Sequence, residues 1–348
     1  MLVTSSHIPS IYDRVHLVTG HPGQLAMSWH RTHSINAGYT HRDAAQSRPV
    51  CHTCAYGSMH QTKTDHRRIH REITDIPGQQ FVLDAYTHTH RSRSNARFCD
   101  LLTDLATGRI YPIFTNDRSA AELCQQMSIF LCCHPSWQNP YEGVAQYVRV
   151  DPEKNYLSEE FKEILFSFGY KREESPPRDK HANGRAERSV GIIAVKTNIA
   201  MLAPRPPVPQ LFWDLAMTYA CTTHSFNPHS RTGDSPYHYI TNRHVDINEL
   251  HPFWTPVYVF IPLADRDGKV GFPRCWLSRF VGYHSTSIMT RTYRALTISS
   301  SFACPDKRIS VRFWRSERCS SGKNATIGIH GFSSDLPIKK IGHLNIPS

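Results

Sequence analysis

The stretch RDKHANGRAERSVGII, residues 178–193, decides how this chain is read. After Asn183-Gly184 the pattern turns helical, with Ala186, Val190, Ile193 and Thr197 on one face as far as about Met201. Glu187, the one carboxylate of this helical part, stands between Arg185 and Arg188. Two acids far upstream give it company. Asp84 ends the apolar part of the strand QQFVLDAYTH (79–88), and Asp151 ends the strand AQYVRVD (145–151). Side chains at strand ends of an α/β sheet project into the crevice where sites form. Residues 152 to 186, 35 in all, separate Asp151 from Glu187. They have room for one helix and one short strand, enough to bring the chain back beside its start. Three carboxylates meeting at one point repel each other unless cations neutralise them. Hard divalent ions take oxygen ligands. Two such ions ~3.5–4 Å apart stabilise the attacking and leaving oxygens of an in-line phosphoryl displacement. Arg185, Arg188 and Lys196 are the nearby cations that would hold a phosphate backbone.

Composition agrees with a polyanionic partner. The 348 residues carry 40 Lys and Arg against 29 Asp and Glu, a formal charge of +11. Each phosphate such a surface neutralises releases counterions. The length suffices for two or three domains. No apolar run approaches the ~20 residues that span a bilayer. The N-terminus lacks a basic start followed by an apolar segment, so no secretory signal is read. The ten cysteines are scattered, which fits reduced thiols in the cytosol or nucleus.

Along the chain, residues 1–28 read as irregular and 29–72 as a segment crowded with His and Cys. Residues 73–245 alternate strands and helices. NARFCDLLTDLATGRIYPIFTND (95–117) is a hairpin turning at Thr107-Gly108. Ser119 and Ser158 cap two amphipathic helices, and Gly169 stops the second. The order of three strands, helix, strand, helix, strand, helix predicts an α/β domain with a central mixed sheet. A Pro-rich break at 203–209 precedes one more amphipathic helix, QLFWDLAMTYACTTHSF (210–226). Residues 250–316 turn β-like, with short strands at the spacing of a small barrel. Its aromatics Trp254, Tyr258, Phe260, Trp276, Phe280 and Tyr283 read as barrel core. Residues 317–348 read as a flexible tail.

A second cluster carries metal chemistry. WHRTH (29–33) offers His30 and His33, and CHTC (51–54) offers Cys51 and Cys54. Two imidazoles and a Cys-x-x-Cys pair make a tetrahedral structural zinc site. His41 is a rival second ligand.

HANGRAERSVGII (181–193) resembles the Asn-Gly-x-Ala-Glu-Arg segment of copia-type retrotransposon and retroviral integrases. VRVDPEKNYLSEEFKEILFSFGYKREESPP (148–177) is similar to that family's stretch from the second acid to the strand before the third, and FVLDAYTH (81–88) matches the first acid. The resemblance covers roughly residues 29–300. It implies an RNase H-like core that binds two Mg2+ or Mn2+ ions through Asp84, Asp151 and Glu187. Asp84 and Asp151 would bridge or flank the ions, and Glu187 would complete the second ion's shell. It implies processing of element-DNA ends and their strand transfer into target DNA, with Asn183 contacting DNA near the scissile phosphate. It also implies a pre-integrase zinc module, an SH3-like barrel around RFVGYHS (279–285), a homo-oligomer, and residence in the nucleus or a cytoplasmic particle, with neither a membrane nor a small-molecule substrate. The family's Gly-x-Glu-Phe after the second acid is absent. That place reads PEKNY (152–156), where the loop's conformation would ask Lys154 or Asn155 for what glycine gives freely. Two rivals stand beside this reading: a decayed relic that only binds DNA, and an RNase H-type nuclease acting on RNA–DNA hybrids.

Overall fold

The computed structural model describes residues 10–40, 51–58, 73–134, 146–175, 184–260, 274–283, 293–297 and 311–312. Asn183, His41 and the 317–348 segment lie outside them.

Strand β1 (Gln80–Thr87) is buried on both sides, as its run Phe81-Val82-Leu83 requires. It pairs antiparallel with β2 (Phe98–Asp104), which pairs antiparallel with β3 (Ile110–Thr115). The β2–β3 turn closes at Gly108, whose φ of +77° suits glycine. On its other edge β1 pairs parallel with β4 (Tyr147–Val150), and β4 parallel with β5 (Lys171–Glu174). The sheet order is thus β3-β2-β1-β4-β5, the RNase H-like arrangement of a mixed five-stranded sheet.

Alternation sorts the two faces. Phe81, Leu83, Val148 and Val150 point toward α4 (Ala120–Cys132) and α5 (Glu159–Ser167), meeting Leu123, Met127, Phe161 and Leu165. The caps are those the sequence predicts. The Ser119 hydroxyl accepts from the Glu122 N–H, the Ser158 hydroxyl accepts from the Phe161 N–H, and Gly169 ends the second helix at φ +84°. The opposite face carries Val82, which packs with Leu105 and with Ala186 of α6 (Gly184–Leu202). Helix α7 (Trp213–His224), entered through a 3-10 turn at Gln210–Phe212, lies on the same side and buries Trp213 completely. A short helix, α8 (Pro236–Thr241), follows.

The N-terminus departs from the expected irregular 1–28. Ser10 and Asp13 form a reciprocal capping box that starts α1 (Ile11–Val18), and α2 (Gln24–His33) follows. Val15, Val18 and Met27 are buried against the α6–α7 side of the molecule, a burial that a local pattern does not reveal. Helix α3 (His52–Ser58) carries the Cys-x-x-Cys pair. At the other end, β6 (Pro256–Phe260), β7 (Cys275–Tyr283), β8 (Tyr293–Thr297) and β9 (Val311–Arg312) form an antiparallel sheet in the order β8-β7-β6-β9. Trp254, Phe280 and Tyr283 are buried there as expected, whereas Tyr258 is 50% exposed. The side chains of Phe260 and Trp276 lie outside the described set. Among the described residues no helix is long and apolar enough to cross a membrane.

Candidate metal and nucleic-acid site

Register places the acids. Leu83 of β1 stands opposite Val150 of β4, so Asp84 and Asp151 follow at adjacent positions of two parallel strands. Asp84 lies two residues beyond Val82, on the face that α6 covers, and Glu187 directly follows the Ala186 that packs on Val82. The three acids therefore reach the same end of the sheet. Asp84 records the crowding, because its pKa is pushed up from 3.8 to about 6. Burial is the largest cause and the charges of Asp151, Glu153 and Glu187 add to it, while the Ala85 N–H, donating to Asp84 Oδ1 at 2.8 Å, opposes it. Among the described residues, only a His/Cys group has its ligand atoms all within 4.8 Å of one another. Asp84, Asp151 and Glu187 do not form such a group.

Four neighbours of this end escape a sequence reading. Asp100, on β2 opposite Ala85, is buried, and Tyr156 Oη donates to its Oδ1. Burial pushes its pKa up to about 6, with the Tyr156 hydrogen bond and Arg118 opposing. Arg118 forms an ion pair with Glu153, two residues past Asp151, and its guanidinium also lies 5.2 Å from the centre of the Phe98 ring. The loop needs no glycine: no residue from 151 to 156 has a positive φ. It turns through the Glu153 N–H donating to the Asp151 carbonyl at 2.7 Å and the Leu157 N–H donating to the Glu153 carbonyl at 3.0 Å.

Of the cations expected to hold phosphate, Arg185 and Arg188 are exposed on the first turn of α6. Lys196 is not part of that surface. Eight residues beyond Arg188 along α6, ~12 Å at 1.5 Å per residue, its ammonium is turned inward. Burial lowers its pKa to about 8, with Cys221 and Cys54 pulling it back up.

The zinc ligands also need correction. His30 is fully buried, with Nε2 3.1 Å from Asn227 Oδ1 and Nδ1 2.7 Å from Ser34 Oγ. Asn227 Nδ2 donates to the carbonyls of Thr19 at 2.9 Å and Thr223 at 2.7 Å, so its Oδ1 is the acceptor and His30 Nε2 the donor. The remaining lone pair, on Nδ1, then accepts from the Ser34 hydroxyl, so both ring nitrogens are engaged within the protein. His33 is exposed and stacked on Trp29, with ring centroids 4.7 Å apart.

Cys51 and Cys54 instead meet His16 and His21, from the end of α1 and the turn after it. Cys54 Sγ lies 3.3 Å from His16 Nε2 and 3.3 Å from His21 Nδ1. Cys51 Sγ lies 3.5 Å from His21 Nδ1, and the two ring nitrogens are 3.2 Å apart. Zn–S bonds of ~2.3 Å and Zn–N bonds of ~2.05 Å give tetrahedral edges of ~3.6 Å between S and N and ~3.3 Å between N and N. The observed edges match, so the residues fit a zinc module. Burial, then His16 and Lys196, lower His21 to about 3; burial, then Cys51, raise Cys54 to about 12. The signal available in sequence was the His-x4-His of HLVTGH (16–21), upstream of the segment where ligands were sought.

No protein-family model matches the chain, and no curated protein matches it. Solved structures similar to the chain include three retroviral integrase structures. The catalytic core of BIV integrase is 11% identical, covering 47% of this chain and 95% of that one, with a TM-score of 0.35. The simian T-cell lymphotropic virus intasome bound to the PP2A regulatory subunit B56 gamma is 18% identical, covering 85% and 100%, at 0.41. The HTLV-2 integrase core in complex with magnesium is 21% identical, covering 47% and 95%, at 0.34. With TM-scores below 0.5, the fold assignment rests on strand order and register.

Proposed function

We propose that this chain is the integrase region of a copia-type retrotransposon, a polynucleotidyl transferase that joins element-DNA ends to target DNA. The observation that carries the reading is the Leu83–Val150 register, which sets Asp84 beside Asp151, with Glu187 behind Ala186 on the helix packed over them. Asp84, Asp151 and Glu187 would hold Mg2+ or Mn2+, which would supply Lewis-acid activation of a water or DNA 3′-hydroxyl nucleophile and charge stabilisation at the leaving oxygen. The protein's own part is positional. Arg185 and Arg188 neutralise phosphate at the first turn of α6. Arg118 balances Glu153 at the rim and keeps the loop after Asp151 in one place. His16, His21, Cys51 and Cys54 would hold a structural Zn2+. Element ends and target DNA are the partners, a homo-oligomer the working form, and the nucleus or a cytoplasmic particle the place of action.

The test is strand transfer with donor-end oligonucleotides in Mg2+ or Mn2+. Wild type joins ends to target and Glu187→Gln does not; equal activity in both dismisses the assignment. A second reading is a relic that binds DNA through the exposed Arg185 and Arg188 without cutting it. It predicts salt-sensitive DNA binding with no joining in Mn2+.

A further inference from the structure

The acid site does not explain how the N-terminal helices are seated. Val15, Val18 and Met27 share one cluster with Ile193, Ala200, Trp213 and Met217, so α1 and α2 complete the core that α6 and α7 begin. The approach is close at two glycines beside the His/Cys centre. At Gly20, next to His21, an added Cβ would lie 2.5 Å from Thr223 Oγ1 of α7 and 3.9 Å from Lys196 Nζ of α6. At Gly57, three residues past Cys54, it would lie 3.2 Å from Ile199 Cα and 3.3 Å from Ile199 N. Helix α3 thus lies directly against the backbone of α6. Neither α1, with 8 residues, nor α3, with 7, is long enough to be stable alone.

We propose that the His/Cys centre is a brace on the helix that carries Glu187. An ion there ties the end of α1, the turn at His21 and α3 to one point, and so presses the Gly57 face of α3 onto Ile199. Helix α6 is one continuous run of 19 residues, so fixing its 193–200 turns fixes the axis on which Glu187 stands. Lys196 and Ile199 are the positioning residues on the braced side. This inference rests on the reading of His16, His21, Cys51 and Cys54 as a zinc site. It adds that the zinc acts on the core of its own chain.

The experiment is amide hydrogen exchange on the full chain, zinc-loaded and after stripping with 1,10-phenanthroline, with zinc content measured in parallel. The brace predicts that stripping speeds exchange about tenfold in residues 193–200 as well as in 11–58. Gly57→Ala keeps all four ligands; it should retain one zinc per chain yet exchange fast at 193–200 even when loaded. Stripping that deprotects 11–58 alone, with α6 unchanged, overturns the brace and leaves the zinc reading intact. A chain that takes up no zinc overturns both. If Gly57→Ala does not fold, the wild-type comparison alone decides.

Discussion

Asp84→Asn should make the zinc-loaded, Mg2+-free protein more stable at pH 8 and leave it unchanged at pH 4. The substitution keeps the shape of the side chain and removes its charge. In the folded protein the Asp84 carboxyl titrates at about 6 rather than 3.8, because burial and the neighbouring acids disfavour its ionised form. Between those two values the native state holds a proton that the unfolded chain has released, so stability falls as pH rises through the window. The penalty is absent below about 4 and complete above about 6. Two pKa units correspond to ~3 kcal/mol; the group is still partly reached by water, and screening reduces this to ~1–1.5 kcal/mol. For a chain of this size that is a Tm rise of roughly 1.5–2 °C. Thermal unfolding of wild type and variant, zinc-loaded and free of Mg2+, at pH 4 and pH 8 measures it. A variant no more stable than wild type at pH 8, or equally stabilised at both pH values, refutes the reasoning. Adding Mg2+ at pH 8 should raise the Tm of wild type more than that of Asp84→Asn.

The remaining expectations follow from single contacts. Asn227→Ala removes the donors to the Thr19 and Thr223 carbonyls and orphans the buried His30 Nε2, which should cost ~1–3 kcal/mol in urea unfolding. Arg188→Ala should lower the slope of log affinity for duplex DNA against log salt by about one. Lys196→Ala should leave that slope unchanged, since its ammonium faces the protein interior.

What was legible in sequence follows from the range of each interaction. The β2–β3 turn at Gly108, the serine caps and the apolar face of α6 depend on residues within a few positions of one another, so pattern alone finds them. The N-terminal helices do not work that way. The partner of His30 is Asn227, 197 residues away, and no local rule separates that buried imidazole from a metal ligand. Spacing suggested His30 and His33, whereas packing against α7 left His16 and His21 beside the cysteines. Lys196 looked like part of a basic stripe because its helix begins basic; its ammonium faces Cys221 of α7, Cys54 of α3 and the turn at Gly20, all distant in sequence. Glycine seemed necessary after Asp151. Glu153 and Tyr156 serve the loop instead, through partners at Arg118 and Asp100 on other elements.

The most direct test of the central claim is the anomalous scattering of Mn2+ in crystals of the zinc-loaded chain soaked at pH 8. Density for one ion shared by the Asp84 and Asp151 carboxylates, with a second reaching Glu187, is the predicted result. Saturating Mn2+ that leaves these three side chains bare while ions settle elsewhere would contradict it.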